Sequence, residues 1–316
     1  MKIMLPIDVG ITDIISSSIA ITETLWNVAN TYNLGDQVYK GVFVYESAIA
    51  SNTGNDPELN SGGTNINNDW LNAGFTPISS PKWLVVGMIN RMRMFDGYVS
   101  TYSTNLSSID VTIQKPYIGT IYLLGMDASN ILVQILNSTG TVLWQTNSLP
   151  IADLVSDYYD WFFSKPPAPR QAIRIELGLI TGITDKLRIY VTGSGTVKIG
   201  KFCGGSSITL GQIEWGVDDG IIDWSKVITD DFGETYLAQG RYVPEINATA
   251  RFLTIDESDL AISILDELRA TGIVVDLNES GLDYASLITY CVLSQRTRYL
   301  NGYNDYTIKF KLTGLL

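Results

Sequence analysis

Apolar and polar positions alternate along much of the chain, and this pattern predicts a protein built mainly of β-strands. Residues 109–113 read Ile-Asp-Val-Thr-Ile, which is the period of two that is typical of a half-buried strand. Apolar runs on both sides of Asn137-Ser138-Thr139-Gly140 predict one hairpin, and a turn at Gly193-Ser194-Gly195 predicts a second. Strands at this spacing, joined by glycine turns, indicate a β-sandwich or a jelly roll similar to the galactose-binding fold.

The last third of the chain changes to a helical period and then returns to strands. Residues 257–270 carry apolar side chains at helical spacing, with Asp256 as the predicted N-cap and Gly272 as the predicted stop. The predicted apolar face consists of Leu260, Ala261, Ile264, Leu265 and Leu268. Two β segments follow on either side of Asn301-Gly302, a strong hairpin signal. We therefore expect an α+β module in which one helix covers an antiparallel sheet.

Changes in pattern divide the chain into three predicted domains. Residues 1–81 are rich in loop-forming Asn, Gly and Ser and are expected to form a small β module. Residues 82–210 form the predicted sandwich, and residues 211–316 form the α+β module. The predicted fold class is therefore mainly β and multidomain.

The charge of the chain is unevenly distributed. The 316 residues contain 21 Lys and Arg against 33 Asp and Glu, a net charge of −12. Residues 214–283, with 16 acidic and 4 basic side chains, carry a net −12 by themselves, while residues 82–213 and 284–316 are each net +3. Such segments could provide complementary surfaces between subunits. The acidic balance also argues against nucleic-acid binding, which requires a basic surface.

The chain contains no histidine, which excludes most hydrolytic sites. Neither a Ser-His-Asp triad nor a histidine-ligated zinc can form. An enzyme would need paired carboxylates, and the candidates are Asp218-Asp219 and Asp230-Asp231. Adjacent acids on a strand point to opposite faces, and the neighbouring glycines favour turns, so we interpret both pairs as turn residues. We expect no catalytic residue, no cofactor and no metal site.

Cys203 and Cys291 are the only cysteines, and their wide separation favours two buried free thiols over a disulfide. No apolar run approaches the length of about 20 residues that is needed to span a bilayer. We therefore expect a protein that neither spans a membrane nor binds to one.

The first 81 residues contain the most specific motif. Trp26 and Tyr32 precede Gly35-Asp36-Gln37-Val38, and Tyr45, Asn55-Asp56-Pro57 and Trp70 follow. The order resembles small chitin- and cellulose-binding modules. Aromatic faces of this kind pack against sugar rings, so Trp26, Tyr32, Tyr45 and Trp70 are the candidate carbohydrate-binding residues. The same four residues could instead be the core of a very small domain.

The resemblance extends over the whole chain. Further motifs occur in a fixed order, at residues 1–6, 90–96, 159–162, 215–225, 231–233 and 284–290. Together with the Trp26 to Pro57 module they resemble a family of bacteriophage tail proteins, often described as carbohydrate-binding or tail-tip proteins. The resemblance implies a virion component of the distal tail, made in the bacterial host cytoplasm.

Three functional hypotheses follow. The first is a structural tail-tip or baseplate protein that adapts the tail to fibres or host-contact proteins, contacts other tail proteins and forms a homo-oligomeric ring. The second is a receptor module that binds host glycan. The third, a glycan-degrading enzyme that uses Asp218, Asp219, Asp230 or Asp231, lacks a convincing carboxylate pair.

Overall fold

The computed structural model describes residues 1–62, 80–147, 149–150, 172–229, 232, 234–278, 287–302 and 305–315. Strands make up 53% of the structure and helices 10%, so the predicted mainly β fold class is confirmed.

The helices and strands are as follows in chain order. The first ninety residues contain β1 (Lys2–Met4), β2 (Ile14–Ser17), β3 (Thr24–Leu25), β4 (Thr31–Tyr32), β5 (Gln37–Lys40), β6 (Phe43–Ser47), β7 (Asn52–Thr53), α1 (Pro57–Asn60), β8 (Ser61–Gly62) and β9 (Trp83–Met88). The middle contains β10 (Ser103–Ile113), β11 (Thr120–Leu124), β12 (Asn130–Leu136), β13 (Val142–Gln145), β14 (Leu149–Pro150), β15 (Ala172–Glu176), β16 (Lys186–Ile199) and β17 (Lys201–Gly205). The remainder contains β18 (Ser207–Thr209), β19 (Gln212–Ile213), β20 (Asp218–Asp223), β21 (Lys226–Thr229), β22 (Thr235–Ala238), β23 (Tyr242–Phe252), α2 (Ile255–Glu267), β24 (Ile273–Asp276), β25 (Ile288–Gly302) and β26 (Asp305–Gly314). Short 3-10 helices cover Ile11–Asp13 and Asn90–Phe95.

The middle of the chain forms a sandwich of two antiparallel sheets. One sheet has the order β13-β12-β16-β10-β2, with β14 also paired to β12, and the other has the order β15-β11-β17. Inward-facing side chains of both sheets form one apolar core, in which Ile121 and Ile175 meet Val111 and Ile189. Ile109, Val111 and Ile113 are buried as the alternation predicts, but the polar residue Thr112 between them is buried as well.

An eight-stranded sheet contains most strands of the carboxyl-terminal third together with β1, while β21 and β22 form a separate pair. Its order is β18-β1-β24-β25-β26-β23-β19, and β20 also pairs with β23. Ala261 and Leu265 of α2 pack on one face of this sheet against Phe310 and Leu312. The predicted α+β module with one helix on an antiparallel sheet is therefore observed.

The ends of α2 differ from the prediction. The N-cap is Thr254 rather than Asp256, since the Thr254 hydroxyl accepts a hydrogen bond of 3.2 Å from the Glu257 amide. At the other end, Ala270 has the positive φ of 61° that was expected of Gly272. Leu260, predicted on the buried face, is exposed, whereas Ala261, Leu265 and Leu268 are buried.

Two predicted turns lie within strands. Asp218 and Asp219 belong to β20, which pairs with β23. Gly193-Ser194-Gly195 lies inside β16, a strand that follows β10 along its length. The register between these strands shifts at Ser107, which has a φ of 66°, so a bulge replaces the predicted turn. The hairpin at residues 137–140 is observed between β12 and β13.

Several observed strand pairs cross the domain boundaries that were predicted at residues 81 and 210. β1 pairs with β18 and β24 in the carboxyl-terminal sheet, and β2 pairs with β10 in the sandwich. β9, on the far side of residue 81, pairs with β6 and completes the sheet of the small module. The first twenty residues therefore connect both large domains, and the small module is an insertion between β2 and β10.

Candidate functional site

The motif that resembles a carbohydrate-binding module encodes tight turns. Gly35 has a φ of 87°, a conformation that residues with a Cβ rarely adopt, and the Asp36 carboxylate accepts a hydrogen bond of 2.6 Å from the Asn33 amide. Gly41 has a φ of 62° in the turn between β5 and β6. The tight turn before β5 therefore explains why the motif places Gly35 and Asp36 directly before Gln37 and Val38.

Tyr32 and Tyr45, two of the predicted sugar-binding residues, belong to the core of the module. Their exposed fractions are 8% and 4%. Tyr32 meets Trp83 edge to face with 5.3 Å between ring centroids, and its hydroxyl accepts a hydrogen bond of 2.7 Å from the Asn27 amide. Burial raises the pKa of Tyr45 to about 12, with Glu58 and Asp56 adding to the effect. A buried ring has no free face for a sugar, so we correct the prediction and place both tyrosines in the scaffold.

Trp26 is half-buried at the edge of the same core. Its backbone amide donates a hydrogen bond of 3.0 Å to the Tyr39 carbonyl, and its ring packs against the buried aromatic cluster. The Lys40 ammonium lies 5.1 Å from the ring centroid. Lys40 also lies 2.6 Å from Asp56 and 3.0 Å from Glu58, and the hydrogen bond to Asp56 raises the lysine pKa. Trp26 is therefore the one described candidate ring that still reaches solvent.

Asn55-Asp56-Pro57 also has structural partners. Asp56 is the N-cap of α1 and accepts a hydrogen bond of 3.0 Å from the Glu58 amide. The Asn55 carbonyl accepts one of 2.9 Å from the Trp83 indole. Trp70, the fourth predicted sugar-binding residue, lies outside the described residues, as do Asp230 and Asp231.

Sequence reasoning missed Trp83, which has an exposed fraction of 0% and is the centre of the module core. The predicted boundary at residue 81 separated it from Tyr32 and Tyr45. The signal that could have identified it is the apolar run Trp83-Leu84-Val85-Val86, which is typical of a strand that begins with a buried aromatic residue.

The acidic and basic segments of the carboxyl-terminal third pair with each other inside the chain. Arg296 lies 2.5 Å from Asp266, Arg298 lies 2.6 Å from Asp259, and Lys311 lies 2.9 Å from Glu245. Three of the four basic side chains of residues 284–316 are therefore already paired within one copy. The acids without such partners among the described residues include Asp218 and Asp219, both exposed on β20.

Residues 215–238, which we call the apolar arm, expose an unusual number of large apolar side chains. The two-stranded sheet β21–β22 pairs with no further described strand, and all eight of its residues are exposed. Val227 lies opposite Leu237 on one face, and Ile228 lies opposite Tyr236 on the other. The exposed large side chains of the arm are Trp215, Ile221, Trp224, Val227, Ile228, Phe232, Tyr236 and Leu237.

The arm is anchored at its root by side-chain hydrogen bonds. The Asp223 carboxylate accepts bonds of 2.8 Å and 2.7 Å from the amide and hydroxyl of Ser225. These bonds lower the pKa of Asp223. The Ser225 hydroxyl in turn accepts a bond of 2.9 Å from the Gly240 amide. Gly240 packs so closely on Trp224 that an added Cβ would lie 2.5 Å from the Trp224 carbonyl oxygen. The arm therefore leaves the sheet in a defined direction.

A cleft of about 760 Å³ separates the sandwich from the carboxyl-terminal sheet. Tyr102, Met126 and Lys198 contribute to the sandwich wall. Tyr242, Ile288 and Leu315 contribute to the opposite wall. Its size is within the range of sites that bind ligands or protein side chains.

No protein-family model, no curated protein and no solved structure matches this chain. The resemblance to phage tail proteins therefore stays a prediction. Among the described residues, no group of three or more Cys, Asp and Glu side chains could hold a metal ion. No helix in the described part of the chain is both long and apolar enough to cross a membrane.

Proposed function

We propose that this chain is a structural component of a bacteriophage tail tip or baseplate, and that it links the tail to fibres or host-contact proteins. The observation that carries the proposal is the apolar arm, in which Trp215 is 94% exposed and Leu237 is 82% exposed. Exposed apolar surfaces larger than a few hundred Å² mark interaction sites in soluble proteins. The ordered motifs that resemble tail proteins support the same function.

The proposed role is to bind and not to catalyse. Asp218 and Asp219 are adjacent on β20, so their side chains point to opposite faces of the sheet. Both carboxylates are exposed, whereas a catalytic pair needs one acid that its surroundings shield from water. The buried ion pair of Arg174 with Asp276 joins the sandwich to the carboxyl-terminal sheet, which suits a protein that transmits position.

Electron microscopy of purified virions, labelled with an antibody against the chain, tests the proposal. We expect label at the distal end of the tail, and we expect the chain in the mass spectrum of the same particles. Antibody that has been absorbed with purified chain is the control. Absence of the chain from purified virions would contradict the proposal.

A second candidate function is the binding of host glycan by the small module, in which case Trp26 would contact the sugar. The observation that favours it is the solvent-accessible ring of Trp26 beside Lys40 and Asp56. A glycan array with the intact chain and the Trp26→Ala variant tests it. The expected result is a glycan signal that is lost in the variant while the module stays folded at the temperature of the assay. A chain that binds no glycan excludes this function.

A further inference from the structure

We propose that the outer face of the larger sandwich sheet binds a neutral saccharide. The site consists of Asp110, Arg188, Gln134 and Gln145, which we call the planar row, and of Tyr190 beside this row. The site goes beyond the proposed function, because a tail component can assemble without this surface. It is also separate from the small module and from the tryptophan that is the candidate for sugar contact there.

The register of the strands brings the planar row together. Residues along β12 and β16 alternate between the sandwich core and the outer face. Arg188 of β16 lies opposite Gln134 of β12, and Gln134 lies opposite Gln145 of β13. Asp110 of β10 lies opposite Tyr190, two residues along β16 from Arg188. Four neighbouring strands therefore contribute one side chain each, and the row spans about 14 Å at the usual spacing of about 4.8 Å between strands.

Hydrogen bonds fix the orientation of all four side chains of the planar row. Arg188 donates through Nε and Nη2 to the two carboxylate oxygens of Asp110, over distances of 2.9 Å and 2.6 Å. Its Nη1 donates to Oε1 of Gln134 at 3.1 Å, and Nε2 of Gln134 donates to Oε1 of Gln145 at 3.0 Å. A ligand would therefore meet groups that are already ordered, which lowers the entropic cost of binding.

The planar row retains hydrogen-bonding capacity for a ligand. Three of the five N–H groups of Arg188 are used within the row, so two remain. Each carboxylate oxygen of Asp110 can accept a second hydrogen bond. The side chains of Arg188 and Asp110 are 36% and 31% exposed, so a ligand can reach them. Donors beside acceptors suit hydroxyl groups, because a hydroxyl both donates and accepts.

The charge of the planar row indicates a neutral ligand. The guanidinium of Arg188 is offset by the carboxylate of Asp110, and the two glutamines carry no charge. An anion would compete with Asp110 for the guanidinium, and a cation would compete with Arg188 for the carboxylate. Hydroxyl groups can bind to both charged groups without separating them. The row therefore favours a neutral polyhydroxylated ligand over a charged one.

Tyr190 and Leu132 supply an apolar surface next to the planar row. They lie opposite each other on β16 and β12, and both are partly exposed. The guanidinium carbon of Arg188 lies 5.5 Å from the centroid of the Tyr190 ring, which holds the ring beside the polar groups. A pyranose has hydroxyl groups at its edge and an apolar C–H face that packs on aromatic rings. The outer face therefore matches both kinds of surface on a sugar ring.

A glycan array tests the inference, with the full-length chain coupled at high density to fluorescent beads so that multivalency reveals weak binding. We expect signals from neutral glycans. We expect Arg188→Met to weaken binding to them at least about 10-fold, as for the loss of a charged hydrogen-bond donor. The Trp26→Ala chain is expected to keep these signals. No signal from any glycan, or signals confined to charged glycans, would overturn the inference.

Arg296→Met is the matched control on the same array. Arg296 forms the same double hydrogen bond with an aspartate, in this case Asp266 of α2, at 2.8 Å and 2.5 Å. This variant should bind glycans as the native chain does, and circular dichroism checks that both arginine variants are folded at the temperature of the assay. Equal losses for Arg188→Met and Arg296→Met would refute the site. A loss in the Trp26→Ala chain alone would also refute it, since the glycan would then bind to the small module.

Calorimetric titration with the glycan that gives the strongest signal separates the apolar contact from the planar row. Tyr190→Phe retains the ring and is expected to bind within about 3-fold of the native chain, whereas Tyr190→Ala is expected to bind at least about 10-fold more weakly. Gln134→Met keeps the size of the side chain, removes its hydrogen bonds and should also weaken binding. Native affinity in both Tyr190→Ala and Gln134→Met would overturn the assigned surface. None of these outcomes changes the virion test of the proposed function.

Discussion

Arg174 in β15 lies 2.5 Å from Asp276 in β24 and so joins the sandwich to the carboxyl-terminal sheet through one ion pair. Asp276 has no exposed side-chain surface. It also accepts hydrogen bonds of 2.9 Å and 3.0 Å from the amide and side chain of Asn278. Burial lowers the pKa of Arg174, but the hydrogen bond and charge of Asp276 outweigh it, so the pKa is raised. Lys2 in β1 pairs with Glu176 across the same boundary.

We expect Arg174→Met to destabilise the chain by about 3 to 5 kcal/mol, because it leaves a buried carboxylate without its counter-ion. The double variant Arg174→Met, Asp276→Leu is expected to recover at least half of this loss, since apolar replacement of a buried pair is often neutral. Urea denaturation at pH 7 measures both. Arg188→Met is the matched control: Arg188 pairs with Asp110 on the partly exposed outer face of the sandwich and should contribute about 1 kcal/mol or less. Equal losses of unfolding free energy for Arg174→Met and Arg188→Met would show that the buried pair of Arg174 with Asp276 contributes no more than a partly exposed ion pair.

Asp96 predicts a pH dependence of stability. Burial raises its pKa to about 6, from an ordinary value of 3.8 for an aspartate, although hydrogen bonds from Thr101 and Tyr98 act in the opposite direction. Between about pH 4 and pH 6 the folded chain therefore holds a proton that the unfolded chain has released. The free energy of unfolding should fall by up to about 3 kcal/mol as the pH rises through this window, and no further above it.

The Asp96→Asn variant isolates this effect, because an amide cannot titrate. We expect the difference in unfolding free energy between the two proteins to change between pH 4.5 and pH 7 and to be constant from pH 7 to pH 8. Other carboxylates contribute equally to both proteins and cancel in this difference. A difference that does not vary with pH would show that Asp96 does not titrate in this range.

Local patterns predicted the strands well, because alternation at residues such as Ile109, Val111 and Ile113 reflects burial on one face. Local patterns failed where pairing between strands that are distant in the sequence determined the conformation. Gly193 and Gly195 have a local preference for turns, but pairing of β16 with β10 on both sides of them keeps the chain in one strand with a bulge at this point. Residues 2–4 give no local sign that their partners are residues 207–209 and 274–276.

The sequence predicted which aromatic residues lie together in the candidate site. It did not predict how these residues are arranged. Trp26, Tyr32 and Tyr45 do lie together, and the sequence offered both a scaffold and a sugar site. The outcome depended on Trp83, which fills the space between them from a strand that lay beyond the predicted boundary. The arm was not recognised, because its apolar residues are typical of a core and only the structure shows them exposed.

The aromatic core of the small module leads to a prediction on stability. Trp83→Ala is expected to destabilise the module by about 3 to 5 kcal/mol, since it removes a fully buried ring and the indole hydrogen bond to Asn55. Trp26→Ala is expected to cost less than half as much, because the ring is half-buried. Thermal unfolding and limited proteolysis of the two variants measure the difference. Similar losses would place Trp26 in the core and remove the remaining described candidate for sugar contact in the small module.

The two cysteines give a prediction on reactivity. Cys203 and Cys291 are free and buried, as the sequence suggested, and burial raises the pKa of each thiol to about 12. The thiolate is the reactive form, so both should react with a disulfide reagent at least about 100-fold more slowly in the native chain than in urea. The Leu237→Cys variant is the positive control, because its new cysteine is exposed. One equivalent of thiol per chain should react with the reagent at once. Rapid reaction of Cys203 would show that the core around Tyr122 and Val274 opens readily, and rapid reaction of Cys291 would show the same of the core between α2 and the large sheet.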